Sequence, residues 1–181
     1  MDMYKLNFTR LQNEIFRLLC IKAGISLNQR EIARMLKISP TAVANALPAL
    51  EKEGIIKLEK GKNINLNSVM LDRESEKAIL LKRVENLKML YESGFVKFLY
   101  NQFPGSAILL FGSYSRGEDT AKSDVDIAVI GSKDKSISLQ EFEKKLERVI
   151  NLNFYDSLKT IERNLRNNIL NGIILSGAIE L

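Results

Sequence analysis

Histidine and tryptophan are absent from this chain of 181 residues, cysteine occurs once and proline three times. Without histidine there is no Ser-His or Cys-His nucleophile pair, no imidazole base and none of the usual zinc ligand sets. Any chemistry has to run on carboxylates, lysines, hydroxyls and bound metal. The lone Cys20 has no partner for an internal disulfide and sits in an apolar helical pattern, so it reads as a small buried hydrophobe. Long apolar runs are missing too. Ala107 to Phe111, and Val125 to Ile130 with Asp126 inside it, fall far short of the ~20 residues of a membrane helix. No basic start followed by an apolar block marks a secretory signal. The expected location is the cytoplasm, with no membrane partner.

What the chain does have is a core's worth of apolar residues, 45% of the total, which is ordinary for a folded protein. Its net charge of +5 is unevenly placed. Residues 1–66 carry 11 Lys and Arg against 6 Asp and Glu, whereas residues 67–181 carry 16 of each. A basic excess confined to one third of a chain suits a polyanionic partner, and also suits an ordinary solvated surface.

That third reads as three helices and a hairpin. Leu11, Ile15, Leu18, Leu19 and Ile21 recur at helical spacing until Gly24. Asn28 caps a second helix carrying Ile32, Ala33, Met35 and Leu36. Ser39-Pro40 starts a third, with Val43, Ala46, Leu47 and Leu50 as its stripe, Pro48 as an expected kink and Gly54 as its end. IIKLEKGKNINLN then alternates apolar and polar residues about Gly61, as a hairpin does. The stretch QREIARMLKISPTAVANALPALEKEGIIKLEKGK resembles a winged helix-turn-helix. The resemblance implies that the helix from Ser39 to Glu53 faces the major groove of double-stranded DNA. It would present Thr41, Ala42 and Asn45, with Arg30, Arg34, Lys37, Lys60 and Lys62 on phosphates. That helix offers no arginine for guanine, and winged helices also bind proteins or dimerise, so a protein-binding role stays open beside DNA.

Asn67 to Arg73 is polar enough for a boundary. Beyond it Leu80, Val84, Leu87 and Tyr91 form the stripe of a long helix stopped by Gly94. That stripe predicts packing on the C-terminal sheet, a bridge between domains or a homodimer seam. A further helix, Phe95 to Phe103, ends at Pro104-Gly105. Strands follow at Ala107 to Phe111, Asp124 to Ile130 and Ile150 to Phe154, with helices at Leu139 to Val149 and Leu158 to Leu170 and an apolar Ile173-Ile174-Leu175. The fold class expected is α+β in two domains: a winged helix over 1–68, connecting helices over 69–104, and a small mixed sheet with flanking helices over 105–181.

The chemistry concentrates in GSYSRGEDTAKSDVDIAVI, Gly112 to Ile130. Asp124 and Asp126 are two apart in a strand, so they leave one face about 6.5 Å apart. So placed, they can converge on divalent cations that take oxygen ligands and bring substrate phosphates. The strand before them runs into Gly112-Ser113, where glycine lets the backbone approach a phosphate and a hydroxyl joins the cradle. G-S-Y-S-R-G followed by S-D-V-D-I resembles the signature of the DNA polymerase beta-like nucleotidyltransferases, over about Phe95 to Leu175. The small domain resembles the minimal members of that superfamily, which include antitoxin partners of small helical toxins.

By that resemblance, Gly112 and Ser113 hold the triphosphate of ATP or another nucleoside triphosphate, and Asp124 and Asp126 bind Mg2+ or Mn2+. A nucleoside monophosphate is then transferred to an acceptor, and pyrophosphate leaves. Arg116 either touches nucleotide or holds its own loop by salt bridges. Glu118 and Asp119 read as solvated. The family's third carboxylate falls on Ile150 to Phe154, where the site-facing position holds Asn151, which is no base and a poorer ligand. Asp156 is the nearest acid, able to reach in, to lie at the surface or to cap the following helix. Two readings follow: an enzyme that modifies a protein partner, a nucleic-acid end or a small molecule, and a DNA-binding regulator or antitoxin whose second domain only binds nucleotide.

Overall fold

The computed structural model describes residues 8–60 and 67–179. The chain divides between Ala78 and Ile79 into two compact units. The first holds α1 (Arg10–Ile21), β1 (Leu27–Asn28), α2 (Gln29–Leu36), α3 (Pro40–Lys52), β2 (Ile56–Lys60) and β3 (Asn67–Leu71). Its caps are those the sequence announces. Asn28 accepts from the Arg30 and Glu31 amides while Glu31 returns a carboxylate to the Asn28 amide, and Ser39 accepts from Ala42 N at 3.1 Å with Pro40 at the first helical position. α3 continues through Pro48 to Lys52. Ile15, Leu19, Cys20, Ile32, Val43, Leu47, Leu50, Ile55 and Val69 are each buried within this unit.

Two details differ from the sequence reading. Asn28, expected only to cap a helix, also forms β1 with Leu27, and the two pair with Ser68 and Val69. The polar stretch from Asn67, expected as a domain boundary, is instead β3, the central strand of the order β1-β3-β2. Its alternation buries Val69 and Leu71, which a linker would not do. The expected turn about Gly61, with Lys62, lies outside the described residues.

The second unit contains most of α4 (Glu76–Glu92), followed by α5 (Phe95–Gln102), β4 (Ala107–Phe111), α6 (Gly112–Arg116), β5 (Val125–Ile130), α7 (Gln140–Leu146), β6 (Ile150–Tyr155), α8 (Arg163–Leu170) and β7 (Ile173–Ser176). The sheet runs β6-β5-β4-β7 and is mixed: β5 and β6 are parallel, while β4 is antiparallel to β5 and β7. One sheet face packs Ala107, Leu109, Phe111 and Ala128 against Leu158, Ile161 and Ile169. The helix expected from Leu158 is split into a 3-10 turn, Leu158–Thr160, and α8, because Glu162 caps the second piece through the Asn164 and Leu165 amides. No helix among the described residues is long and apolar enough to cross a membrane.

Of the α4 stripe Leu80, Val84, Leu87 and Tyr91, the residues Leu80, Val84 and Tyr91 are 52%, 65% and 53% exposed, so packing on the C-terminal sheet is the one of its three expected coverings that is removed. The helix turns Lys82, Asn86, Met89 and Leu90 inward instead.

Candidate nucleotide and metal site

β4 delivers the chain into α6 at Gly112, whose φ of +74° is open to glycine. The strand pairing sets Phe111 opposite Asp126, so the turn at Gly112 and the second aspartate are neighbours by register. They touch closely: a Cβ on Gly112 would lie 2.5 Å from Asp126 Oδ2. Ser113 is half-buried in α6, and Ser115 donates its hydroxyl to the Gly112 carbonyl at 2.8 Å, closing the turn from within.

Asp124 precedes β5 and is exposed, while Asp126 lies inside it and is half-buried. On the parallel neighbour β6 the register partner of Asp126 is Asn151. The Asn151 amide donates to Asp124 Oδ2 at 3.1 Å and to Asp126 Oδ1 at 3.3 Å. The two carboxylates therefore converge on a single donor, as they would on a cation. Among the described residues no group of three acidic, cysteine or histidine side chains comes together to hold a metal. A half-turn of the Asn151 amide would replace its donor by Oδ1, so two carboxylates and one neutral oxygen fit a divalent cation.

Asp156 is not brought to this pair. It follows Tyr155, which pairs with Ile130 at the far end of the parallel strands, about 16 Å from Asn151 at five residues' rise. It lines a separate cavity of about 340 Å³ with Gly105, Gly131, Ser157 and Lys159. Ser157, rather than Asp156, caps the 3-10 turn by accepting from Lys159 N. Arg116 points its guanidinium to Glu118 at 2.8 Å and Asn168 at 3.2 Å, which is the loop-holding arrangement.

Residues 95–179 match the protein-family model described as polymerase beta, nucleotidyltransferase, and residues 16–57 match that of the winged helix-turn-helix DNA-binding type. The chain joins a winged helix to a nucleotidyltransferase domain. Among solved structures, a mutant of Lactococcus lactis ZitR is 26% identical over 57% of this chain and 67% of its own, with a TM-score of 0.42. A toxin-antitoxin structure with AMP-PNP is 28% identical over 48% of this chain and 73% of its own, with a TM-score of 0.37. The adhesin competence repressor of Streptococcus pyogenes is 21% identical over 55% and 70%, with a TM-score of 0.42. No curated protein matches the chain.

In the nucleotidyltransferase domain one expectation is reversed. Asp119 is fully buried rather than solvated, held by Lys82, Asn86 and Arg148. Lys82 and Asn86 were hidden from sequence reading by the apolar stripe on the opposite face of α4. The one signal they gave is their spacing of four, which stacks two polar groups on one helix face. In the winged helix, Arg30, Arg34, Lys37, Thr41 and Asn45 are all exposed, and Arg30 and Arg34 share a surface hollow with Asn28 and Glu31. Lys60 closes β2.

Proposed function

We propose that the C-terminal unit binds a nucleoside triphosphate, ATP in the first instance, together with Mg2+ or Mn2+. In this reading it transfers the nucleoside monophosphate to an acceptor hydroxyl, while the N-terminal unit docks on double-stranded DNA. The observation that carries this reading is the convergence of Asp124 and Asp126 on one point beside the Gly112-Ser113 turn. Backbone amides of the Gly112-Ser113 turn and the Ser113 hydroxyl would give a phosphate its donors. Asp124 and Asp126, with Asn151 turned to offer its oxygen, would hold the cation. A divalent cation held by these residues would supply charge neutralisation for the triphosphate, and pyrophosphate would leave as the acceptor oxygen bonds to the α-phosphorus. A protein side chain is the acceptor to try first, followed by a nucleic-acid end and small molecules.

The Asn151 amide also favours a second reading, in which the domain binds nucleotide without turnover and serves a DNA-bound regulator or antitoxin. A neutral amide accepts no proton from an attacking hydroxyl at neutral pH. Label transfer separates these. Binding of ATP with Mg2+ is expected in both, and its absence removes both. Transfer of label from α-labelled ATP to any acceptor supports the enzyme, whereas none from the wild type, with transfer gained in Asn151→Asp, supports the regulator.

A further inference from the structure

Asp119 lies in the segment between the G-S turn and the paired aspartates, yet its side chain is 0% exposed, as is all but 1% of Lys82 and 3% of Arg148. Its Oδ1 accepts from Lys82 Nζ and from Asn86 Nδ2, the latter at 2.7 Å, and its Oδ2 accepts from Arg148 Nη2 at 3.3 Å. Those donors come from two places. Lys82 and Asn86 stand one turn apart on α4, while Arg148 sits between α7 and β6, three residues before Asn151. Arg148 is fixed in turn by donating Nη1 to the Glu147 carbonyl at 2.9 Å.

The same amide of Asn86 donates to the Tyr114 carbonyl at 2.9 Å, inside α6. Tyr114 is buried, with Lys82 Nζ 5.9 Å from its ring centre. Gly117 brings the loop so near α4 that a Cβ would overlap the Ile79 carbonyl and come within 2.8 Å of Arg83 N. The segment from Gly112 to Asp124 is therefore tied to α4 at Tyr114, Gly117 and Asp119. Through Arg148 the same carboxylate is tied to the start of the strand that carries Asn151.

Burying ions is an inefficient way to stabilise a fold, since well-packed apolar residues do as well or better. What a hydrogen-bonded ionic cluster adds is direction: each partner fixes the angle and distance of the next. We propose that Asp119 and Asn86 are positioning residues for the nucleotide site. They hold the α6 turn in the shape that receives a triphosphate without touching it, and they set its place relative to Asp124 and Asn151. This rests on the reading of Gly112-Ser113 as a triphosphate cradle.

The test uses the full chain. Asn86→Ala removes both amide bonds and changes no charge. Affinity for a fluorescent ATP analogue with Mn2+, affinity for Mn2+ alone, and melting temperature are measured on wild type and variant well below unfolding. Loss of the tie to Tyr114 is expected to weaken nucleotide binding about tenfold, the scale of one to two hydrogen bonds. Affinity for Mn2+ alone is expected to stay within about twofold, because Asp126 sits inside β5 and Asp124 directly before it, whereas the Asn86 amide is engaged with Tyr114 and Asp119. Should the alanine variant fail to fold, Asn86→Ser, which keeps one donor, is expected to show the same split in smaller measure. Equal nucleotide affinity in wild type and variant overturns the positioning role and leaves the proposed function standing. A parallel loss of nucleotide and metal binding that tracks melting temperature also overturns it. No nucleotide binding by the wild type overturns both.

Discussion

Asp126 packs its carboxylate directly against the Cα of Gly112, where the strand register of β4 and β5 brings the two together. The phosphate turn and the metal pair are thus one object, and the place of the Asp126 carboxylate depends on the absence of a side chain at Gly112. Gly112→Ala adds a Cβ at φ +74° and 2.5 Å from Oδ2. The left-handed backbone alone costs about 1–2 kcal/mol, and the carboxylate has to turn away. The expected result in urea unfolding is a loss of that order, with divalent-ion affinity lowered further than stability alone explains.

Gly117→Ala should be worse for the fold and less selective for the site. Its Cβ meets backbone atoms of α4 at Ile79 and Arg83, which cannot rotate aside as a side chain can. Overpacking together with positive φ predicts about 2–4 kcal/mol, read as a lower midpoint in urea at unchanged slope.

A third expectation concerns DNA. Arg30, Arg34 and Lys37 are exposed on and just after α2. If they hold phosphates, affinity for double-stranded DNA falls steeply with salt, and Arg30→Ala with Arg34→Ala reduces the slope by about 0.9 per lost contact. A slope unchanged by both substitutions removes these residues from the interface.

Acid should weaken α8. The Asn164 and Leu165 amides donate to Glu162 and lower its pKa beneath the ordinary carboxylate value of 4.5. A carboxyl whose folded pKa is depressed stabilises the fold above its unfolded value, and that contribution is lost as pH falls through the folded one. The melting-temperature difference between wild type and Glu162→Gln is therefore expected at neutral pH and should close on acidification below about the carboxylate range.

Local signals made much of this legible. Asn28, and Ser39 with Pro40, announce helix starts because a cap's chemistry is finished within three residues. The G-S turn and D-V-D strand announce a site because spacing alone puts two carboxylates on one face. What sequence could not show depends on partners far along the chain. Asp119 looks like any loop acid until Lys82, Asn86 and Arg148 close over it from positions 29 to 37 residues away. Periodicity in α4 revealed an apolar face but not its direction. The ionic cluster decided that, since Lys82 and Asn86 are bonded to the buried Asp119, and the stripe was left outside. Asp156 was attractive for its closeness in sequence to Asn151. A strand separates residues quickly, and five steps carried it to the other end of the sheet.

Cys20 gives the winged-helix unit a built-in clock. Its thiol is the chain's one sulfhydryl and is fully buried in that unit's interior. A thiol reagent can react only when this core opens, so the modification rate counts opening events of one unit while the nucleotidyltransferase domain stays silent.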